Sequence, residues 1–249
     1  MSENWDFYFK QVEDKPASMF VDLDAALSAP DAALPFMAYA RVRMPNPRED
    51  GLSSQEDYET LLAIEDAFTA GLTGEGRATD YVGRCTTNGC RDFVFYLAQP
   101  EGWDARVAEC MRAWPDYECE TGTRAEPEWT TYFEYLYPGE ADRQIIENRR
   151  VCDSLESHGD RLQEAREIDH WAHFADQAAR DAYVAEAMQA GFAVRNLWGP
   201  DDQDDRYGAD LWRSDIPAYN TIDDVTLPLF HLAAKHGGDY DGWECEVLN

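Results

Sequence analysis

Positive charge is scarce in this chain. Only 21 Lys and Arg stand against 50 Asp and Glu in 249 residues, a formal net charge of −29. Phosphate binding needs clustered cations, so a direct nucleic-acid or anionic-membrane role is excluded. The shortage is uniform: residues 1–138 carry 26 acids and 11 bases, and residues 139–249 carry 24 and 10. Acidity is therefore a property of the whole surface, not of a tail. It favours solubility and basic partners, although a generally acidic proteome would give the same balance with no partner at all. Long apolar runs are also absent, and none approaches the roughly 20 residues of a membrane span. The start, MSENWDFYFK, has neither the basic nor the apolar region of a secretory leader. A cytoplasmic protein is expected.

Chemical motifs are missing too. There is no HExxH, CxxC or His-x-His. Gly83, Gly89 and the Gly237-Gly238 pair read as turns and a helix cap, not as a phosphate loop. The six cysteines show no paired metal spacing. Cys85 and Cys90 flank Asn88-Gly89, and a tight hairpin turn there sets Cys90 opposite Thr87 and Cys85 opposite Asp92, out of register for a bridge. Buried thiols are expected, with no cofactor, no metal and no catalytic residue.

What is present is a 44% hydrophobic content in well-marked periods. Trp5–Val12 alternates Trp5, Phe7 and Phe9 against Asp6, Tyr8 and Lys10, a strand with one apolar face. Ser18–Leu23 pairs with it as a hairpin. Phe36–Met44 is extended. Ser53 or Ser54 caps a helix whose inward stripe is Leu61, Leu62, Ile64, Phe68 and Leu72. Tyr81–Leu97 is a hairpin, Trp103–Trp114 a helix, and Tyr117–Thr123 and Trp129–Tyr137 read as strands. Pro138-Gly139 marks a boundary. Beyond it come helix Glu140–Ser157, strand Glu167–Phe174, helix Asp176–Ala190, strands Phe192–Trp198 and Tyr207–Arg213, a helical stretch Ile222–His236 and a last strand Gly242–Leu248. Pro228 predicts a kink or a late start in that final helix. The fold class is α+β: two α/β-sandwich domains, 1–138 and 139–249, each ferredoxin-like (β-α-β-β-α-β), the first with an extra N-terminal β-hairpin.

The stretch GDRLQEAREIDHWAHF (Gly159–Phe174), the helix ending AGF (Ala190–Phe192) and GGDYDGWECEV (Gly237–Val247) resemble the ribonuclease E inhibitor RraB family over about the last 110 residues. WDFYF, Ile64–Asp66, YVGRCTTNGCRDFVFY and EWTTYFEYLYP resemble the domain-of-unknown-function family 695, often fused ahead of an RraB-like domain. The resemblance implies a ferredoxin-like sandwich and a protein-binding role. In the founding case the inhibitor docks on the basic, RNA-binding C-terminal region of ribonuclease E.

On a strand, His170 and His173 point to opposite faces and cannot share a metal. Ile168, His170, Ala172 and Phe174 form the helix-packed face, which makes His170 a structural histidine. Asp169, Trp171 and His173 form the other face, with Glu244 and Glu246 alongside. His231 and His236 do not face each other on the last helix, and His158 reads as a helix-end histidine. Cys152 follows Arg149 and Arg150, but it falls in an apolar stripe and reads as core. Asp201, Asp202, Asp204 and Asp205 form a dense acidic loop. An EF-hand register started at Asp201 puts Arg206 at the glycine position and Trp212 at the last ligand, so calcium fails. The loop is either simply solvated or an acidic docking element. The expected function is a non-catalytic regulatory protein-binding module. Asp169, Trp171, Asp201, Asp202, Asp204, Asp205, Glu244 and Glu246 would engage a basic protein segment, such as the ribonuclease E C-terminal region. The alternatives are a structural or homo-oligomeric interaction protein, and a small-molecule enzyme with an interdomain site.

Overall fold

The computed structural model describes residues 4–73, 78–201 and 205–248. The chain divides into two compact units, Met1–Pro138 and Gly139–Asn249. In the first, strands β1 (Trp5–Val12), β2 (Lys15–Asp22), β3 (Phe36–Arg43), β4 (Thr79–Thr87), β5 (Cys90–Leu97) and β6 (Cys119–Ala125) form one sheet in the order β1-β2-β4-β5-β3-β6. All of its pairings are antiparallel. The run β4-β5-β3-β6 is the ferredoxin-like order read backwards, and the β1-β2 hairpin extends it past β4. Helices α1 (Gln55–Leu72) and α2 (Trp103–Cys110) bury Leu61, Ile64, Phe68, Trp103 and Val107 against Phe93, Phe95 and Ala40 of the sheet. The start of α1 is fixed by Ser54, whose hydroxyl accepts from the Asp57 amide at 3.2 Å. Leu62 is not in that core; it is only half-buried.

The predicted strand Trp129–Tyr137 is instead a single wide helical turn, Thr131–Leu136, closed by the Tyr137 amide donating to the Tyr132 carbonyl at 2.7 Å. Tyr132 and Leu136 are buried while Phe133 and Glu134 between them are exposed, a spacing of four rather than two. The turn covers the sheet face opposite α1. Tyr8 donates to the Leu136 carbonyl at 2.9 Å, Tyr132 donates to the Asp22 carbonyl at 2.7 Å, and the Trp129 ring stacks on Tyr96 at 3.9 Å. The N-terminal strand therefore packs this face through Tyr8, which is 1% exposed, and leaves Phe7 and Phe9 open at 41% and 58%.

The second unit opens with α3 (Glu140–Ser157) and continues β7 (Arg166–Phe174), α4 (Gln177–Gln189), β8 (Ala193–Trp198), β9 (Tyr207–Asp215), α5 (Asp223–Lys235) and β10 (Gly238–Cys245). Its sheet order β10-β7-β9-β8, antiparallel throughout, is again ferredoxin-like. α5 begins ahead of Pro228 and runs through it, so the predicted late start does not occur. The last strand is shorter at its end than predicted. It stops at Cys245 and begins at Gly238, with a bulge between Tyr240 and Gly242.

One face of this sheet is sealed by the helices. Ile168, Ala172, Phe174, Leu211 and Trp243 pack with Cys152, Tyr183 and Leu229. A buried polar network crosses this core. Asn148 accepts from the Trp243 indole at 2.9 Å and donates to Asp223 and Thr226 at 2.7 Å, tying α3 to α5 and β10. His170 is fully buried, with Nδ1 2.8 Å from the Tyr240 hydroxyl. Burial, then the charge of Arg213, pushes its pKa down to about 3, so it is neutral. Burial pushes the Cys152 thiol up to about 12, which fits core and not a nucleophile. At the strand entry, Asp160 and Arg166 form a buried ion pair, and the Leu248 amide donates to Asp160 at 2.8 Å.

Candidate functional site: the open sheet face of the second unit

Strand alternation sends every other residue of β7 away from the helices, and those residues meet matching ones on both neighbours. Asp169 lies opposite Glu244 of β10 and Trp212 of β9. Trp171 lies opposite Gly242 and Asp210, and His173 lies opposite Asp239 and Gly208. The face therefore presents half-buried Trp171 and Trp212 among carboxylates. At its β8 side the Trp198 ring lies over Gly208, where a Cβ would clash with the indole at 1.8 Å, so only glycine fits. The same ring sits 5.8 Å from His173.

Among the described residues, one arginine reaches over this face. A register shift between Val194 and Asn196 brings Arg195 over the Trp212 ring at 5.3 Å. Its guanidinium donates to Asp169, and to Glu167 at 2.8 Å. Glu167, Asp169, Asp210 and Glu244 still outnumber it, so the face stays strongly negative. Asp210 carries the cost. It is 9% exposed, and its Oδ1 has no hydrogen-bond partner among the described residues. Burial first, then the charge of Asp169 and also that of Glu244, pushes its pKa up to about 6 against the pull of Arg195. A carboxylate left unpaired in a half-dry site is what a cationic partner would relieve.

Of the residues singled out from sequence, Asp169, Trp171 and Glu244 come together here. Glu246 does not: it lies past the end of β10, exposed, with its carbonyl accepting from Arg166 at 2.9 Å. Asp201 and Asp205 are exposed in the β8–β9 connection, and Asp202 and Asp204 fall outside the described residues. Asp210, Trp212 and Arg195 are not among the candidates read from the sequence, where Trp212 figures only in the rejected calcium register. Alternation about buried Leu211 in YGADLWRSD carries the signal for the first two, whereas nothing in the sequence announces the shift that places Arg195. Among the described residues no group of three or more His, Cys, Asp or Glu could hold a metal ion, and no helix is long and apolar enough to cross a membrane.

The profile of the family of unknown function DUF695 matches residues 3–137. The chain belongs to that family. The profile of Regulator of ribonuclease activity B, RraB, matches residues 145–245, so a DUF695 domain precedes an RraB-like domain that contains the open face. No curated protein matches the sequence. Solved structures similar to the chain include an unknown protein from Galdieria sulphuraria (10% identity, 83% of this chain and 95% of that one, TM-score 0.24). Another is a "putative glycine cleavage system transcriptional repressor" (8% identity, 85% and 98%, TM-score 0.26). Likeness at these scores carries no argument.

Proposed function

We propose that this DUF695–RraB protein is a non-catalytic, cytoplasmic regulator that restrains a ribonuclease by holding a basic segment of it. The observation that carries the reading is the open face of the RraB-like domain, where Trp171 and Trp212 lie among Glu167, Asp169, Asp210 and Glu244, with Arg195 the one arginine or lysine beside them among the described residues. An Arg-rich strand or loop could stack on the indoles and pair with the carboxylates, relieving Asp210. The exposed Asp201 and Asp205 extend the acidic surface for encounter. A segment held this way would be withheld from RNA. The C-terminal region of ribonuclease E, basic and RNA-binding, is the partner implied by the family.

Titration of the full chain with an Arg-rich peptide from that region tests the reading. Tight binding at low salt that weakens at least tenfold at high salt is expected, because surface charge pairs are screened beyond about 8–10 Å. Glu244→Lys or Trp171→Ala should weaken it roughly tenfold, in line with the ~1–3 kcal/mol of a charge-assisted contact or stacked anchor. Absence of binding at low salt, or affinity indifferent to both substitutions, would overturn it.

A further inference from the structure

The extra hairpin of the DUF695 domain creates a second candidate site that the ribonuclease reading does not use. β1 and β2 carry the sheet beyond the edge of α1, leaving a groove of about 760 Å³ between the hairpin and that helix. Trp5, Phe7, Phe9 and Phe20 form one wall, and Tyr58 and Leu62 of α1 form the other. This accounts for two departures noted above: the exposed Phe7 and Phe9, and Leu62 outside the core. Trp5 stacks on Tyr81 at 5.2 Å and lies 5.1 Å from Phe20, so the rings are held in place.

The floor is charged in a direction opposite to the rest of the molecule. Arg84 and Arg91 are 9% and 2% exposed, and both line the groove. Arg91 donates through Nε to Thr86 at 2.8 Å, but its Nη1 has no hydrogen-bond partner among the described residues. The nearest carboxylate is Glu65, 4.0 Å from Nη1. Glu65 is already engaged, 2.7 Å from Arg84 Nε and accepting from the Tyr81 hydroxyl at 2.8 Å. Two buried guanidiniums thus share one carboxylate. Burial, then the charge of Arg84, lowers Arg91 to about 10, which leaves it protonated at neutral pH. At the rim, Arg48 is paired with Asp50.

We infer that this groove binds a small organic monoanion, with an apolar and preferably aromatic body against the rings and a carboxylate head on Arg91 and Arg84. The volume lies in the range of small-molecule sites. A guanidinium fork suits a planar carboxylate, and at the buried floor two guanidiniums face only Glu65, which leaves one positive charge for one negative charge; Asp66 lines the groove from the exposed side of α1, and with it a phosphate dianion would leave a charge unpaired.

The test uses the full chain and 1-naphthaleneacetate, with its neutral twin 1-naphthaleneacetamide, read by calorimetry and by Trp fluorescence. Binding of the acid at least tenfold tighter than the amide is expected. Arg91→Gln should abolish that preference. The surface pair Phe7→Ala and Phe9→Ala, which leaves the core intact, should weaken the acid about threefold or more. No binding of the acid, equal binding of the amide, or affinity unchanged in Phe7→Ala, Phe9→Ala and Arg91→Gln would overturn the proposal. Binding of the Arg-rich peptide is expected to be unaffected by these variants, so the two sites fail or succeed separately.

Discussion

The sharpest single residue is Asp210, because its environment works against its own charge. Its carboxyl is raised to about 6 by burial and by Asp169 and Glu244. A carboxyl raised in the fold adds stability that is fully present below its unfolded value, about 4, and is lost as pH rises through 6. Asp210→Asn should therefore raise the unfolding free energy at pH 7–8 by about 1–2 kcal/mol once solvent screening is allowed for, read by urea unfolding, and the gain should vanish below about pH 4. The same variant should bind the basic peptide less well. Stability gained at the cost of binding is the pattern of a functional surface. Peptide affinity in the wild type should fall as pH drops from 7.5 to 5.5, as Asp210 takes up its proton. His170 has the opposite sign. Held neutral with its pKa lowered to about 3, it loses stability as pH falls below its unfolded value of about 6.5.

Among the elements, the regular ones were legible and the irregular ones were not. α3 runs from Glu140 to Ser157 as its apolar spacing predicts, and the β4–β5 hairpin sets Cys85 opposite Asp92 and Cys90 opposite Thr87 as Asn88-Gly89 requires. Both depend on local patterning that tertiary structure had no reason to override. WTTYFEYLY failed because aromatics at mixed spacing fit either period, and the deciding contacts are distant: Tyr8, Asp22 and Tyr96. Trp5, Phe7 and Phe9 share one face, as their alternation predicts, but alternation cannot say whether a helix covers it; here the hairpin runs past α1 and a groove results. The family-bearing stretch Gly159–Phe174 combines two kinds of residue. Asp160 and Arg166 hold β7 to the chain after β10, whereas Asp169 and Trp171 face outward. Asp160→Asn should cost roughly 3 kcal/mol, since it strands a buried guanidinium, and urea unfolding would measure it. Hydrogen bonds and Arg166 hold the Asp160 carboxyl well below the usual range, so its contribution is present above about pH 4 and fails only in strong acid.

At the scale of the whole molecule, a charge of −29 spread over both units excludes much and specifies little. The proposed specificity rests on two local features. One is the open face of the RraB-like domain, where carboxylates crowd around tryptophans and one of them is forced towards neutrality. The other is the groove of the DUF695 domain, where two arginines are buried against a single glutamate. The first suits a cation and the second an anion, and neither carries a catalytic arrangement among the described residues. A regulator with a protein-binding face and a separate small-molecule groove is consistent with both. The most direct test of the central claim is amide chemical-shift mapping of the full chain as the Arg-rich ribonuclease peptide is added. The account predicts that the shifted amides cluster on β7, β9 and β10, with Trp171 and Trp212 indole signals moving alongside them. Shifts confined to the DUF695 domain, or to the helix-covered side of the second sheet, would contradict it.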